Sequence, residues 1–376
     1  MPLIILILVA VIFSVFSAVV AFGHYFIYWS VKNFFGLTSV RQKRWLGVSL
    51  ILLAFSFGAA SALAHFSKNV VTQDFYFLAG LWLGVALNLD MAFGLGWITL
   101  AIGKFFGRQF NLKIIGFAAV SATIIFSGYG VWNAYQPKIT EINVKIKNLP
   151  AAWQGKRAVQ ISDIHLGHVF GAEFLQKNVE KINALKPEIV FITGDLFDGM
   201  DGNLAGYVEP LDSLTAPAGV YYVTGNHETY LGAGRAYDAL SATKVKILKD
   251  EEVNLDGLQI VGVSFPEESE TRNIDEVIGD IADFDSEEPA ILLYHSPFEV
   301  GRAKRAGVDL MLSGHTHDGQ VLPFGILTKI IFFGQDYGLH EDGDFTLYTT
   351  SGLGTWGPTM RTFSRPEIVV INLESK

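Results

Sequence analysis

Apolar residues run almost unbroken from Leu3 to the region of Gln136 and are grouped differently after it. Four long apolar runs fill the front part: 3–29, 46–64, 75–103 and 114–132. About twenty consecutive apolar residues are enough to cross a bilayer core. The pattern therefore predicts a transmembrane region over 1–135 with about four helices. The third run has 29 residues and would rise roughly 43 Å as a helix. It is expected to tilt, or to break at the glycine-rich stretch around Asp90. The start, Met-Pro-Leu-Ile, lacks the basic segment of a cleavable signal. The first run is therefore expected to be retained.

From residue 138 onward, short apolar strands alternate with amphipathic helices. Strands are expected at 158–162, 189–192, 220–223, 260–263, 291–294 and 310–312, with two further β-rich stretches at 346–350 and 367–373. Leu175, Val179, Ile182 and Leu185 recur at helical spacing, and Pro187 ends that helix. Further helical stretches fall near 233–243, 273–283 and 298–306. The expectation for 138–376 is a layered α/β domain of one piece.

Charge sharpens the division. Residues 1–137 carry 8 Lys and Arg against 2 acidic residues, and 138–376 carry 20 against 35. An acidic domain is a poor partner for phosphate backbones, so nucleic acid is not expected. The chain has no Cys, which excludes a disulfide scaffold, Cys-ligated zinc and thiol catalysis. Lys32, Arg41, Lys43 and Arg44 lie in the first interhelical loop, and Lys104, Arg108 and Lys113 in the third. The second carries only Lys68, offset by Asp74. Basic loops face the cytoplasm, so the domain after four crossings is expected outside it, on a multi-pass protein of the cell membrane. Asp90, the one acidic residue at membrane depth, is expected near a helix end or paired with Asn88. His24 and His65 are expected at the membrane interface.

The chemistry is concentrated where the strands end. Asp163 and His165 follow the first expected strand, Asp195 and Asp198 the second, and Asn226, His227 and Glu228 the third. His295 follows the fifth, and His315 and His317 the sixth. Ligands in layered α/β folds sit beyond the carboxyl ends of strands. Of the seven His in 138–376, only His340 falls well away from these clusters. Imidazole and carboxylate without thiolate suit Zn, Mn, Fe or Ni. The candidate ligands are too many for one tetrahedral ion. They fit two divalent cations sharing a carboxylate, an arrangement that clamps phosphate and activates water.

In order, Asp-x-His, Gly-Asp-x-x-Asp, Gly-Asn-His-Glu, a lone His and Gly-His-x-His resemble the calcineurin-like metallophosphoesterase superfamily. The tail LYTTSGLGTWGPTMRTFSRPEIVVINL resembles its bacterial membrane-associated branch. The resemblance covers essentially all of 138–376 and implies a four-layer α/β/β/α sandwich, a pair of packed sheets flanked by helices. It implies that Asp163, His165, Asp195 and His317 hold one metal ion. It implies that Asp195, Asn226, His295 and His315 hold a second, with Asp195 bridging. His227 would be the catalytic residue beside the phosphate rather than a ligand. Two departures stand out: Asp318 where Gly is usual, and Glu228 where Asp is common. Asp318 would reshape the mouth or orient His317.

The expected activity is hydrolysis of a phosphomonoester, phosphodiester or pyrophosphate bond, with Mn, Fe or Zn as the favoured metals and Ni as a further fit. Four spans exceed what tethering requires, which makes a lipid-linked phosphate an attractive substrate and membrane lipids expected neighbours. Asp198 is read as a turn-shaping residue, and His168 either as a substrate contact or as a surface loop residue. Arg235, Arg361 and Arg365 either pair a substrate anion or pair acidic side chains, and the acidic runs 267–270 and 283–288 are read as solvated loops. Two other readings stand beside this one: a membrane sensor or transporter-like protein with a non-catalytic phosphate-binding domain, and a cytoplasm-facing nucleotide-sugar lipid pyrophosphatase. The sequence sets no oligomeric state.

Overall fold

A computed structural model describes residues 3–67, 69–200, 203–267 and 272–376, with side chains from Val11 onward except those of residues 12 and 13. Lys68, and residues 268–270 of the acidic run that begins at Glu267, lie outside the described residues. The chain forms two compact units. One comprises Met1–Trp132 with Gly357–Thr362, the other Asn133–Trp356 with Phe363–Lys376.

The first unit contains α1 (Leu3–Phe34), α2 (Val40–Phe66), α3 (Val70–Phe105) and α4 (Leu112–Ala134). All four are long and apolar enough to cross a membrane, α1 over Ser14–Phe34. Each outruns the apolar run that signals it, because good helix formers such as Arg41, Lys43 and Lys104 continue the turn past the greasy stretch. Asn69 caps α3: its side chain accepts from the Thr72 amide at 3.0 Å, and Thr72 accepts in return from the Asn69 amide at 3.1 Å. The α3 helix is continuous, so of the two expectations for the long third run, a tilt or a break near Asp90, the break is absent. Aromatic packing joins α1 to α3 through Phe34 and Phe93, whose ring centroids are 5.5 Å apart.

Three expectations are corrected here. Asp90 lies in the middle of α3, not near an end, and Asn88 donates instead to Ser127 Oγ at 2.9 Å. Asp90 faces α1 at Gly23, where an added Cβ would lie 2.6 Å from its Oδ2. His24 is buried within the helical unit, because α1 continues for two more turns and more beyond it. Its Nε2 accepts from Trp82 Nε1 at 3.0 Å, while Nδ1 meets the Val20 carbonyl at 2.8 Å. Arg361 is fully buried in this unit, its amide donating to the Gly130 carbonyl at 2.9 Å. Burial without solvent access removes it as a partner for an incoming anion. The segment 357–362 fits against α3 at Gly84, where any Cβ would strike the Met360 side chain at 2.6 Å.

The second unit begins with β1 (Lys138–Ile146), β2 (Arg157–Ile161), α5 (Ala172–Ala184), β3 (Ile189–Thr193), α6 (Leu204–Val208) and β4 (Gly219–Val223). Next come α7 (Asn226–Leu231), α8 (Ala233–Leu240), β5 (Lys246–Ile247), β6 (Glu251–Leu255), β7 (Leu258–Gly262), α9 (Ile274–Asp280) and β8 (Ala290–Leu293). It ends with α10 (Val300–Arg305), β9 (Leu310–Ser313), α11 (Phe324–Ile331), β10 (Gly338–Asp342), β11 (Phe345–Thr349) and β12 (Glu367–Ser375). The strands expected from the pattern are present within a residue or two. The pattern gave no sign of β1, the edge strands β5, β6 and β10, or the short helices α6, α7 and α11.

The strands form two six-stranded sheets, ordered β1-β12-β2-β3-β4-β5 and β10-β11-β9-β8-β7-β6. Their facing sides share one core, in which Phe191, Tyr221 and Val369 of the first sheet meet Ile260, Ile291 and Leu312 of the second. The outer side of the first sheet is covered by α5, α6 and α8 through Leu175, Val179, Leu204 and Ala236. The outer side of the second is covered by α9 and α10 through Ile278 and Ala303. This is the four-layer α/β/β/α sandwich. Central strands such as β3, β8 and β9 are buried along their whole length, as expected when both faces are covered.

Candidate metal centre

Parallel pairing of β2, β3 and β4 in one sheet, and of β8 and β9 in the other, points all five carboxyl ends to one rim. Asp163 and His165 leave β2, Asp195 leaves β3, and Asn226 opens α7 after β4. His295 leaves β8, and His315 and His317 leave β9. The loops are tied to each other by their own backbones. The Asp163 amide donates to the Gly194 carbonyl and the His165 amide to the Asp195 carbonyl, both at 3.1 Å.

Three overlapping groups of ligand atoms result, each within 4.8 Å of one another: Asp163, His165 and His317; His165, Asp195 and His227; Asp195, His295 and His315. His165 Nε2 lies 3.0 Å from His317 Nε2, and His317 Nε2 lies 3.5 Å from Asp163 Oδ1. Asp195 Oδ2 is 3.9 Å from His165 Nε2 and 3.1 Å from His295 Nε2. Asn226 Oδ1 is 2.8 Å from His315 Nδ1 and 3.2 Å from His295 Nε2. Ligands bound about 2.0–2.2 Å from one cation stand about 3–3.5 Å from each other. Several donor pairs stand at about this spacing, and Asp195 belongs to two of the three groups. Imidazole nitrogens and carboxylate or amide oxygens are the donor types that such ions take.

Outer partners fix how the rings present themselves. The His295 Nδ1 meets the Thr193 carbonyl at 2.8 Å. A carbonyl only accepts, so Nδ1 carries the proton and Nε2 faces Asp195. The same logic turns His227, whose Nδ1 donates to the Asp198 carbonyl at 2.8 Å. Its ring stands 4.6 Å from that of His165 and 5.3 Å from that of Trp356. The His227 amide also donates to Asp195 Oδ1 at 2.9 Å, which leaves Oδ2 as the oxygen common to the two groups.

Burial and charge act together here. Burial pushes the Asp163 carboxyl up to about 6. Burial alone would raise Asp195, but His295, then His227 and His165, hold it well below the usual carboxylate range. Burial would lower His295, yet Asp195 and Asp163 carry it up to about 9. Burial, reinforced by His295, takes His315 down to about 4. The Asp195–His295 pair is thus a buried ion pair in which a proton occupies the place of a cation.

Backbone strain gathers at the same residues. Asp163, His165, Asp195, His315 and His317 all have positive φ, between 48° and 74°. Each such non-glycine residue costs on the order of 1 kcal/mol or more and persists only where its surroundings over-determine it. Gly225, by contrast, has an ordinary φ of −107°. It is needed for close approach, since a Cβ there would lie 2.2 Å from Asp195 Oδ1.

Other candidates separate. Asp198 shapes its turn as expected: its carboxylate accepts from the amides of Met200 at 3.0 Å and His168 at 3.3 Å. The His168 side chain is 2% exposed beside Asp198, so the surface-loop reading fails because the loop folds over it. Asp318 has a positive φ of 49° and its amide donates to Thr316 Oγ1 at 3.2 Å. Arg235 is exposed on α8, and Arg365 donates to the Gln136 carbonyl at 3.4 Å. His340 lies on β10 and contacts the Tyr337 carbonyl at 3.1 Å.

Two buried carboxylates brace the centre without belonging to it: Glu228, which the sequence marks only as standing where Asp is common, and Glu367, which sequence reading passed over. Glu228 accepts from the amides of Asp195 at 3.0 Å, Phe197 at 3.0 Å and Gly225 at 2.7 Å, locking the β3 and β4 loops together. Burial, then Asp195, pushes it up to about 7. Glu367 accepts from Thr140 at 2.7 Å, Thr350 at 2.9 Å and the Ser351 amide at 3.0 Å. It holds the loop whose Gly354 amide donates to the Asp163 carbonyl at 2.7 Å. The available signal was a lone acidic residue opening an otherwise apolar strand.

With the geometry established, the chain can be compared with known proteins. Residues 156–319 match the family model described as calcineurin-like phosphoesterase. An uncharacterised metallophosphoesterase of Campylobacter jejuni is 35% identical over 248 residues, 64% of this chain and 64% of that one. A transmembrane protein with metallophosphoesterase domain from Danio rerio is 33% identical over 297 residues, 73% of this chain and 64% of that one. An uncharacterised metallophosphoesterase of Aquifex aeolicus is 30% identical over 258 residues, 67% of this chain and 98% of that one. The chain thus spans 64% of the length of the first two relatives and nearly all of the third.

Proposed function

The chain belongs to the calcineurin-like phosphoesterase family and its acidic unit is a metal-dependent phosphohydrolase domain; from that premise we propose that the whole protein is a membrane-anchored dinuclear phosphoesterase acting on phosphate esters presented by lipids. The observation that carries this reading is Asp195, whose carboxylate belongs to two ligand groups at once, with Oδ2 3.9 Å from His165 Nε2 and 3.1 Å from His295 Nε2. Asp163, His165, Asp195 and His317 would hold one divalent ion, and Asp195, Asn226, His295 and His315 the other, with Mn, Fe or Zn the best match to these donors. When bound, such a pair supplies Lewis acidity at phosphoryl oxygens and lowers the pKa of water.

The chain's own residues do the rest. His227, held by the Asp198 carbonyl, presents Nε2 to the space beside Asp195 and His165. In hydrolysis a water oxygen bonds to phosphorus and gives up one proton to solvent, the ester P–O bond breaks, and the leaving oxygen takes its proton from His227 Nε2, which solvent then reprotonates. Trp356 and Tyr230, both exposed and with rings 5.3 Å from that of His227, flank this position. Glu228 keeps the Asp195 loop in register during turnover.

Four membrane-crossing helices and a basic first and third loop support a catalytic domain on the extracytoplasmic side. A reporter fused after Lys376 should be active only outside the cytoplasm; activity confined to the cytoplasm would reverse this orientation. The activity itself is tested on full-length protein reconstituted with Mn, Fe or Zn. Monoesters, diesters and pyrophosphates are compared, each in lipid-borne and water-soluble form. Turnover of lipid-borne esters is expected; robust turnover of soluble esters alone would remove the lipid link, and no turnover with metal bound would remove the catalytic reading.

A further inference from the structure

The helix α11 and the residues after it are turned inside out for a water-soluble surface. Ile326 is 58% exposed, Leu327 47%, Ile330 67% and Phe333 89%. The side facing the domain carries instead buried Gly325, half-buried Thr328 and, just past the helix end, buried Phe332. Thr328 donates to Asp336 Oδ2 at 2.9 Å, and the Phe332 ring lies 4.6 Å from that of Phe298. Exposed large apolar residues occurring singly are ordinary, but a contiguous face of them marks an interaction surface.

The chemistry of the segment identifies its partner. Across residues 321–335 the only formal charge is Lys329, which is exposed, in a unit that carries 20 basic against 35 acidic residues from 138 onward. An apolar face with a flanking lysine is suited to the boundary between headgroups and acyl chains, where the lysine stem lies along apolar matter and its ammonium reaches the headgroups. The bilayer is also within reach. Only residues 135–137 separate α4, a helix apolar enough to cross a membrane, from β1. Three residues fully extended span roughly 10 Å.

We propose that α11 together with Phe333 is a monotopic membrane-seating surface, lying in the lipid interface with Ile326, Leu327, Ile330 and Phe333 among the acyl chains. This surface is mechanically close to the metal centre. Thr316 lies between the ligand-type residues His315 and His317, and its hydroxyl donates to the Asp336 carbonyl at 2.5 Å. The Asp336 carboxylate in turn receives Thr328 of α11. Seating α11 in lipid therefore fixes the loop that carries both imidazoles, and sets the metal rim at headgroup level. The membrane-seating claim stands on exposure, charge and tether length and is independent of what the centre hydrolyses.

The absence of cysteine makes the test clean. Full-length protein carrying Ile330→Cys, or separately Phe333→Cys, is spin-labelled and placed in nanodiscs of phosphatidylcholine with phosphatidylglycerol. Collision rates with oxygen and with a water-soluble nickel chelate are compared with those at Glu173→Cys, a position 85% exposed at its side chain on α5. Both α11 labels should show a several-fold higher ratio of oxygen to chelate than the Glu173 label. Equal ratios at all three positions would overturn the proposal. So would protection from chelate accompanied by spin–spin broadening that vanishes in nanodiscs holding one chain, since the occupant would then be a second copy. Two independent label positions keep the result decisive if one variant fails to fold.

Discussion

The two cation positions proposed for the centre share Asp195, but the groups of residues that complete them are built differently. The group of His295 and His315 has its deepest ligand in His295, which is unexposed, with Nδ1 tied to the Thr193 carbonyl and Nε2 3.1 Å from Asp195, while His315 is partly exposed. The group of Asp163, His165 and His317 reaches the rim, with the His317 side chain 11% exposed. In the deep group a proton on His295 neutralises Asp195 before any metal arrives, whereas in the rim group Asp163 takes up a proton only below about 6. One centre thus offers two cation positions that differ in how strongly protons compete for them.

Replacing the shared ligand should have the largest effect. Asp195→Asn removes the negative charge common to both positions and should abolish binding of at least one ion, with activity reduced beyond measurement; metal analysis by mass spectrometry and an esterase assay check this. His227→Ala comes next. It should keep both ions and lose about 10²–10⁴-fold in turnover, the range of a lost general acid. Retained turnover would return His227 to a merely structural role.

Outer bracing comes third. Glu228→Gln keeps the shape of the side chain but turns one of its oxygens into an amide nitrogen. That nitrogen must then face an amide donor among Asp195, Phe197 and Gly225. Metal affinity should fall by roughly 10–100-fold, the usual cost of losing an outer partner, measured by competition with a chelator. The loss should fall on both positions, because the brace acts on Asp195.

The smallest effect is the most discriminating. His295 titrates at about 9 in the metal-free centre, so binding at the deep position at pH 7 must release its proton. A raised His value means the proton is held below it and lost above it. Affinity at the deep position should therefore rise by up to about tenfold per pH unit between pH 7 and 9 and then level off. The rim position should lack this rise, since its carboxylate Asp163 is already ionised above about 6, and in the deep position His315, at about 4, adds no second proton to displace. Calorimetric titrations at several pH values check both halves. Equal slopes at the two positions would erase the distinction.

What the sequence made legible follows from where each signal lives. The transmembrane helices are long repeats of one property, so 114–132 foretold α4 closely. The buried strands of the sandwich are short apolar runs bounded by glycine, and their polar ends named the residues that the fold brings together. The local surroundings of single polar residues were not legible. Asp90 and His24 were placed at ends or interfaces because hydropathy carries no information about which helix faces which. Arg361 reads as pairing a substrate anion or an acidic side chain, although its segment belongs with the helices rather than with the strands that flank it in sequence. Glu228 acts largely through the amides of Asp195 and Phe197, and Glu367 through the hydroxyls of Thr140 and Thr350 and the Ser351 amide, all distant in sequence, and no spacing rule reports such contacts. The helix α11 was invisible because an apolar face turned outward has the same sequence pattern as one turned inward.

The central claim is that two cations share Asp195, and metal counting on the full chain tests it most directly. Protein loaded with manganese, iron or zinc and freed of loosely held ions by gel filtration should retain two ions per chain, and Asp195→Asn no more than one. A wild-type chain that retains at most one ion, or an Asp195→Asn chain that still retains two, would contradict it.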